Sequence, residues 1–234
     1  VPISLFVWMH GCGGEAYGDM FNIAPYATRA NQSYIAIYIG GRDGACWNMA
    51  VDGPQVLPAI KDVMKNFNIN PRKVYIGGYS SGGDLAYRTG FQNAELFAGI
   101  LAQNTDPFRD TGESAANLMA AAKWKLHIRH QAHNNDAVYP LATVQQSIAT
   151  LVNNGFPATL DPKMGTHYDN DLPANAPNSG TNYDYRTFVL PYLDAGWVSP
   201  DPATLGIAPK IAGTGQKKIT TTKASYNLKG TVPF

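Results

Sequence analysis

The sequence predicts an α/β protein built on a mostly parallel central sheet with helices on both faces. Two observations predict it. Short apolar runs alternate with amphipathic stretches along most of the chain, the pattern of repeated strand–helix units. The chain also has 234 residues, 44% of them hydrophobic and 15% charged, enough to bury one sizeable core. One catalytic-size domain is expected over residues 1–198, with 199–234 as an extension packed on it.

The elements follow in order. Residues Val1 to Met9 read as a buried strand, and Tyr34 to Ile39 as a second. Val56, Leu57, Ile60, Val63, Met64 and Phe67 recur at helical spacing, with Lys61, Asp62 and Lys65 on the opposite face. Asn70-Pro71 is expected to break the chain before a third strand, Lys73 to Gly77. A helix is expected from Gly82 to Phe91, a fourth strand from Phe97 to Leu101, and a fifth from Lys125 to Arg129. Leu141, Val144, Ile148 and Leu151 mark another helix, stopped by Asn154-Gly155. Ala158 to Met164 is the sixth strand, and Tyr185, Phe188, Val189 and Tyr192 mark a closing helix. Beyond Trp197 the chain turns rich in Pro, Gly, Thr and Ala. After Asp201 it has no acidic residue but carries Lys210, Lys217, Lys218, Lys223 and Lys229.

The totals exclude several classes. A net charge of +1 gives no overall pull toward nucleic acid or membrane. No apolar run reaches the ~18 residues of a spanning helix. A chain opening directly on a core strand implies upstream residues, and a leader peptide among them. Few Lys and Glu beside many Gly, Asn, Thr and Tyr suit a secreted protein. Two cysteines, Cys12 and Cys46, fit either buried thiols or a bond.

Chemistry on such a sheet belongs at the carboxyl ends of the strands. After the third strand stands Gly78-Tyr79-Ser80-Ser81-Gly82, the G-x-S-x-G pattern of a nucleophile elbow. The serine sits on a sharp turn, and glycines two residues either side remove clashes with the neighbouring strand and helix. Ser80 is therefore the candidate nucleophile. Ser81 is excluded as a rival because Tyr79, not glycine, stands two residues before it. After the first strand comes His10-Gly11-Cys12-Gly13-Gly14, the expected source of a second oxyanion donor. The amides of Ser81 and Cys12 are assigned to that role, and His10 to hydrogen bonding within its loop.

There are five histidines: His10, His127, His130, His133 and His167. The order nucleophile, acid, base in this fold selects His167, just past the sixth strand. His127 reads as a packed strand residue. His130 and His133, placed just past the fifth strand, come too early. Asp136 in Asn134-Asn135-Asp136 is favoured as the acid over Asp106, which follows the fourth strand. His130, His133 and His167 lack any H-E-x-x-H-like companion set, so neither metal nor cofactor is expected.

These residues carry a resemblance. His10-Gly11-Cys12, Cys46-Trp47-Asn48, the elbow, Asp136-x-x-Tyr139-Pro140 and Gly165-Thr166-His167 come in the order seen in secreted polyhydroxybutyrate depolymerase-like esterases of the α/β-hydrolase superfamily. That group is related to feruloyl and acetylxylan esterases. The similarity covers about residues 3–195. It implies a Cys12–Cys46 disulfide fixing the oxyanion loop, and Trp47 near the mouth of the site. Two features depart from it: the longer His130–Asp136 loop and the basic tail. The implied substrate is a polymeric or small carboxylic ester, with Trp47, Tyr79 and Tyr168 suited to an aromatic or extended acyl group. Two alternatives are an amide-cleaving depolymerase of an anionic polymer such as poly(aspartic acid), drawn by the tail lysines, and a non-catalytic binding protein on a hydrolase scaffold.

Overall fold

The computed structural model describes residues 2–16, 34–41, 44–168, 192–193 and 196–206. Six strands form one sheet: β1 (Ile3–Met9), β2 (Tyr34–Ile39), β3 (Ile69–Tyr79), β4 (Gly99–Gln103), β5 (His127–His133) and β6 (Ala158–Lys163). Their order is β2-β1-β3-β4-β5-β6, and every pair is parallel. Among the described residues four α-helices are bounded: α1 (Val56–Asn66), α2 (Ser81–Gln92), α3 (Ala115–Ala121) and α4 (Leu141–Asn153).

The run Leu5–Met9 is buried throughout, and the two-residue strand period divides it between two clusters. Leu5, Val7 and Met9 join the larger cluster with Val56, Ile60 and Met64 of α1, Leu85 and Phe91 of α2, Leu118 of α3, and Val144 and Ile148 of α4. Phe6 and Trp8 point the other way, to Tyr75, Leu101, Leu193, Tyr192 and Trp197. All four α-helices therefore feed the larger cluster. On the second face the described cover is Tyr192, Leu193 and Trp197. The remainder of the expected closing helix, and the tail lysines from Lys210 onward, lie outside the described residues. Tyr75 reaches that cover too, its hydroxyl donating to the Trp197 carbonyl at 2.8 Å.

Several boundaries differ from the sequence expectation. Asn70 and Pro71 do not precede β3; they lie in it. The ladder to β1 is irregular there, pairing Ile3 with Ile69 but Leu5 with Val74, so proline's missing N–H is tolerated. β4 runs two residues further than expected, to Gln103, and β5 to His133. His130 and His133 are thus strand residues. His127, at the start of β5, stacks on Trp197 with ring centroids 4.9 Å apart. Helix α3 was not expected.

The strand order reverses direction between β1 and β3. At such a switch point the loops leaving the two strands part to opposite sides and open a crevice. Here those loops are His10–Gly14 and the turn at Ser80.

Candidate active site

Ser80 sits at the carboxyl end of β3 with φ 55° and ψ −128°, a left-handed backbone that costs a non-glycine residue about 1–3 kcal/mol. Its surroundings enforce it. The Ser80 N–H donates to the Gln103 carbonyl at 3.0 Å, and its own carbonyl accepts from Gly83 and Asp84 as α2 begins. A Cβ at Gly78 would lie 2.4 Å from the Gly82 carbonyl group, and one at Gly82 would lie 2.3 Å from the Met9 and His10 carbonyl oxygens. Both glycines of the elbow are therefore required sterically, and Gly82 is also what lets α2 abut the loop after β1.

His167 lies in the loop after β6 and reaches back to Ser80. Its Nε2 is 3.0 Å from Ser80 Oγ and its Nδ1 2.7 Å from Asp136 Oδ2. With the proton on Nδ1, the ring donates to Asp136 and accepts from the serine hydroxyl. Asp136 Oδ1 accepts from the amides of Val138 and Tyr139 at 2.7 and 2.8 Å. Burial pushes the Asp136 carboxyl up, but the His167 bond and charge and the two amides outweigh it, holding it below its ordinary value. The Tyr139 ring stacks on His167 at 5.6 Å. Ser80, Asp136 and His167 are each buried, so the relay is screened from bulk water.

Asp106, the rival acid, faces elsewhere. Its carboxylate accepts from the Ser147 hydroxyl and the Phe108 amide. His130 is fully buried with Nδ1 2.8 Å from the Tyr87 hydroxyl, and burial drives its ring down to about 3. His133 Nδ1 lies 2.8 Å from the Asn104 amide nitrogen. The imidazole rings of His130, His133 and His167 thus face different side chains. Among the described residues no three His, Cys, Asp or Glu groups come together as a metal site.

The loop after β1 is drawn against the elbow. Cys12 and Cys46 form a disulfide. The Ser81 hydroxyl lies 3.3 Å from Cys12 Sγ, and a Cβ on Gly11 would meet the Tyr79 ring at 2.6 Å and Ser80 Cβ at 3.2 Å. Only glycine lets the loop approach so closely. Ser81 is the first residue of α2, so its N–H has no acceptor within the helix. Gly11 is thus the loop residue set against Ser80, with Cys12 against Ser81. His10 holds the loop: Nδ1 donates to the Gly11 carbonyl at 2.8 Å and Nε2 accepts from the Gly41 amide at 3.4 Å.

The three residues expected to contact substrate separate. Trp47 is only 7% exposed, its indole N–H donates to the His10 carbonyl at 2.7 Å, and its ring packs on His10 at 4.8 Å, bracing the loop after β1. Tyr79 is half-buried, and its hydroxyl donates to the His167 carbonyl at 2.6 Å. Tyr168 is 81% exposed and meets the His167 ring edge-on at 5.0 Å.

Two polar residues escaped sequence reasoning. Asp84, one turn into α2, is buried and accepts from the hydroxyls of Thr105 at 2.5 Å and Tyr139 at 2.6 Å. Asn104, just past β4, bonds both His133 and His167. Neither lies in a spacing pattern that sequence alone makes visible.

No protein-family profile matches the chain. It is 25% identical over 149 residues to an acetylxylan esterase of Coprinopsis cinerea, a match covering 53% of this chain and 40% of that protein. The chain thus spans about two fifths of the curated relative. Among solved structures it is similar to Thermogutta terrifontis esterase 2 (TM-score 0.64, 15% identity, 86% of each chain). It is similar also to a phospholipase/carboxylesterase from Dyadobacter fermentans (0.59, 15%, covering 80% of this chain and 90% of that one). A third is the Staphylococcus aureus fluorophosphonate-binding serine hydrolase F (0.62, 13%, 82% and 84%). These likenesses establish the α/β-hydrolase fold. The Ser80–His167–Asp136 relay stands at the switch point of that fold.

Proposed function

We propose that this protein hydrolyses carboxylic esters through an acyl-enzyme on Ser80. The observation that carries the reading is the continuous relay Ser80–His167–Asp136 on a strained elbow. In the proposed reaction His167 Nε2 takes the Ser80 hydroxyl proton as Oγ bonds to the ester carbonyl carbon. Asp136 keeps the proton on Nδ1 and stabilises the imidazolium. The amides of Cys12 and Ser81 hold the oxyanion. As the C–O ester bond breaks, His167 gives its proton to the departing alcohol. Water, deprotonated by His167, then attacks the acyl carbon, and Ser80 leaves with the proton.

The proposed substrate class is an acylated polymer: a polyester, or a plant cell-wall polysaccharide bearing acetyl or feruloyl groups. The acetylxylan esterase similarity supports the second. Tyr168, exposed beside the base, supplies an apolar face for the acyl or leaving group. The Cys12–Cys46 disulfide supports a secreted, oxidising location. The alternative of an anionic polyamide rests on tail lysines that lie outside the described residues. A binding protein lacking catalysis would have no use for the strained elbow.

The test is intact-mass measurement after fluorophosphonate treatment, with peptide mapping. One adduct, on Ser80 and absent from Ser80→Ala, is expected. No adduct on folded protein would overturn the reading. A 4-nitrophenyl panel of acetyl, feruloyl and 3-hydroxybutyryl esters then ranks the acyl groups, and equal rates on all three would count against a dedicated acyl pocket.

A further inference from the structure

His167 is the single buried residue among the described residues of its loop, 164–168. Met164 and Tyr168 are 76% and 81% exposed, and Thr166 is exposed as well. The rings of Tyr79 and Tyr139 pack on the His167 imidazole, but burial of neighbouring loop residues does little to fix its backbone. Hydrogen bonds must do it, and two of them end on one atom: the His167 carbonyl oxygen accepts from the Tyr79 hydroxyl at 2.6 Å and from Asn104 Nδ2 at 3.1 Å.

Asn104 is built for that contact. It is 3% exposed and stands just past β4 with φ 44°, a left-handed conformation that asparagine tolerates better than most residues. Its N–H donates to the Gln131 carbonyl at 2.9 Å. Its side-chain Oδ1 accepts from the His133 amide at 3.1 Å, which fixes the orientation of the group because a backbone N–H needs an acceptor. Nδ2 then carries two hydrogens toward two acceptors, His133 Nδ1 at 2.8 Å and the His167 carbonyl. One amide thus ties the ends of β4 and β5 to the base-bearing loop, with both its Oδ1 and its Nδ2 engaged.

We infer that Asn104 is a positioning residue of the active site, which, with Tyr79, clamps the His167 backbone and so sets the reach of its ring to Ser80 and Asp136. The inference rests on the reading of His167 as the general base. Asn104 touches neither substrate nor the reacting atoms; it acts through His167. Misplacing a catalytic group by about 1 Å costs on the order of a hundredfold in rate, and substrate binding at the mouth is left as it was.

The experiment compares Asn104→Gly, Asn104→Asp and Tyr79→Phe with the intact chain. Glycine keeps the left-handed backbone and deletes the amide. Aspartate keeps the acceptor for the His133 amide but sets an oxygen against the His167 carbonyl. On a 4-nitrophenyl ester, each variant is expected to lose about 10–100-fold in kcat with KM within about twofold of wild type. Fluorophosphonate labelling should slow in parallel, with melting behaviour retained. Tyr79→Phe combined with Asn104→Gly should depart from additivity, because both bonds hold one carbonyl. Wild-type kcat and labelling rate in Asn104→Gly would overturn the inference, as would a loss expressed only in KM. If the glycine variant does not fold, the aspartate and phenylalanine variants decide by the same criteria. A wild-type protein that neither turns over nor labels at Ser80 marks failure of the hydrolase reading instead.

Discussion

Asp84 offers a stability measurement whose sign and size follow from its surroundings. The carboxyl is buried beneath the acid loop, one helical turn after Ser80, and among the described residues its side-chain partners are neutral hydroxyls, Thr105 and Tyr139. Burial pushes it from 3.8 up to about 7, against the pull of those two hydrogen bonds and with a further push from the charge of Asp110. A folded-state value above the unfolded one means that the native protein holds this proton more tightly. The stabilisation is fully present below about pH 4 and is lost as pH rises toward 7. Roughly three units at about 1.4 kcal/mol each give about 4 kcal/mol as an order of magnitude. His130 works with the opposite sign: its ring is pulled down to about 3 by burial, so its contribution is lost as pH falls from 6.5. The whole-protein curve blends the two, and a difference curve separates them. Asp84→Asn is neutral at every pH and close in shape to the protonated carboxyl. Urea denaturation of both proteins between pH 4 and 8, with the disulfide intact, should show the variant gaining on wild type as pH rises, by up to about 4 kcal/mol. A difference that stays flat across that range would refute the argument that burial of this carboxyl outweighs its hydrogen bonds.

Two other perturbations reach the site from different directions. Asp136→Asn preserves the shape of the acid but no longer holds the proton on His167 Nδ1; kcat on a 4-nitrophenyl ester should fall by about 10⁴-fold, and a loss under tenfold would mean another group orients the base. Cys46→Ala opens a loop whose ends are 34 residues apart, for which chain entropy predicts a loss of about 4 kcal/mol, read as a lower urea midpoint. Because the Cys12 amide is the proposed second oxyanion donor, kcat should fall more than KM rises, whereas unchanged kcat would place that donor elsewhere in the loop.

What the sequence disclosed and what it hid divide along physical lines. The core of β1 was legible because a strand buried on both faces is apolar without interruption from Leu5 to Met9. The elbow was legible because its glycines are demanded by contacts that any side chain would violate, so the chemistry leaves a fixed spacing in the chain. Helix α3 was not, since it buries only Leu118 and so lacks an apolar stripe; its one sequence signal was the Ser114 cap, whose hydroxyl accepts from the Asn117 amide at 3.2 Å. The ends of β4 and β5 were cut short for a reason tied to function. Gln103, His130, Gln131 and His133 lie past the expected strand ends, yet they are buried strand residues: Gln103 donates to Gln131, His130 pairs with Tyr87 and His133 with Asn104. Local rules fail where a protein spends buried polar groups on its site. Asn104 and Asp84 are the extreme case. A buried asparagine whose amide serves β5 and the His167 loop, or a carboxyl accepting from β4's loop and the acid loop at once, has no local signature. Its partners are set by the strand order β1-β3-β4-β5-β6, and they become neighbours only after the sheet has formed. The catalytic groups that react are therefore visible one by one along the chain, while the groups that hold them in place are visible only in three dimensions.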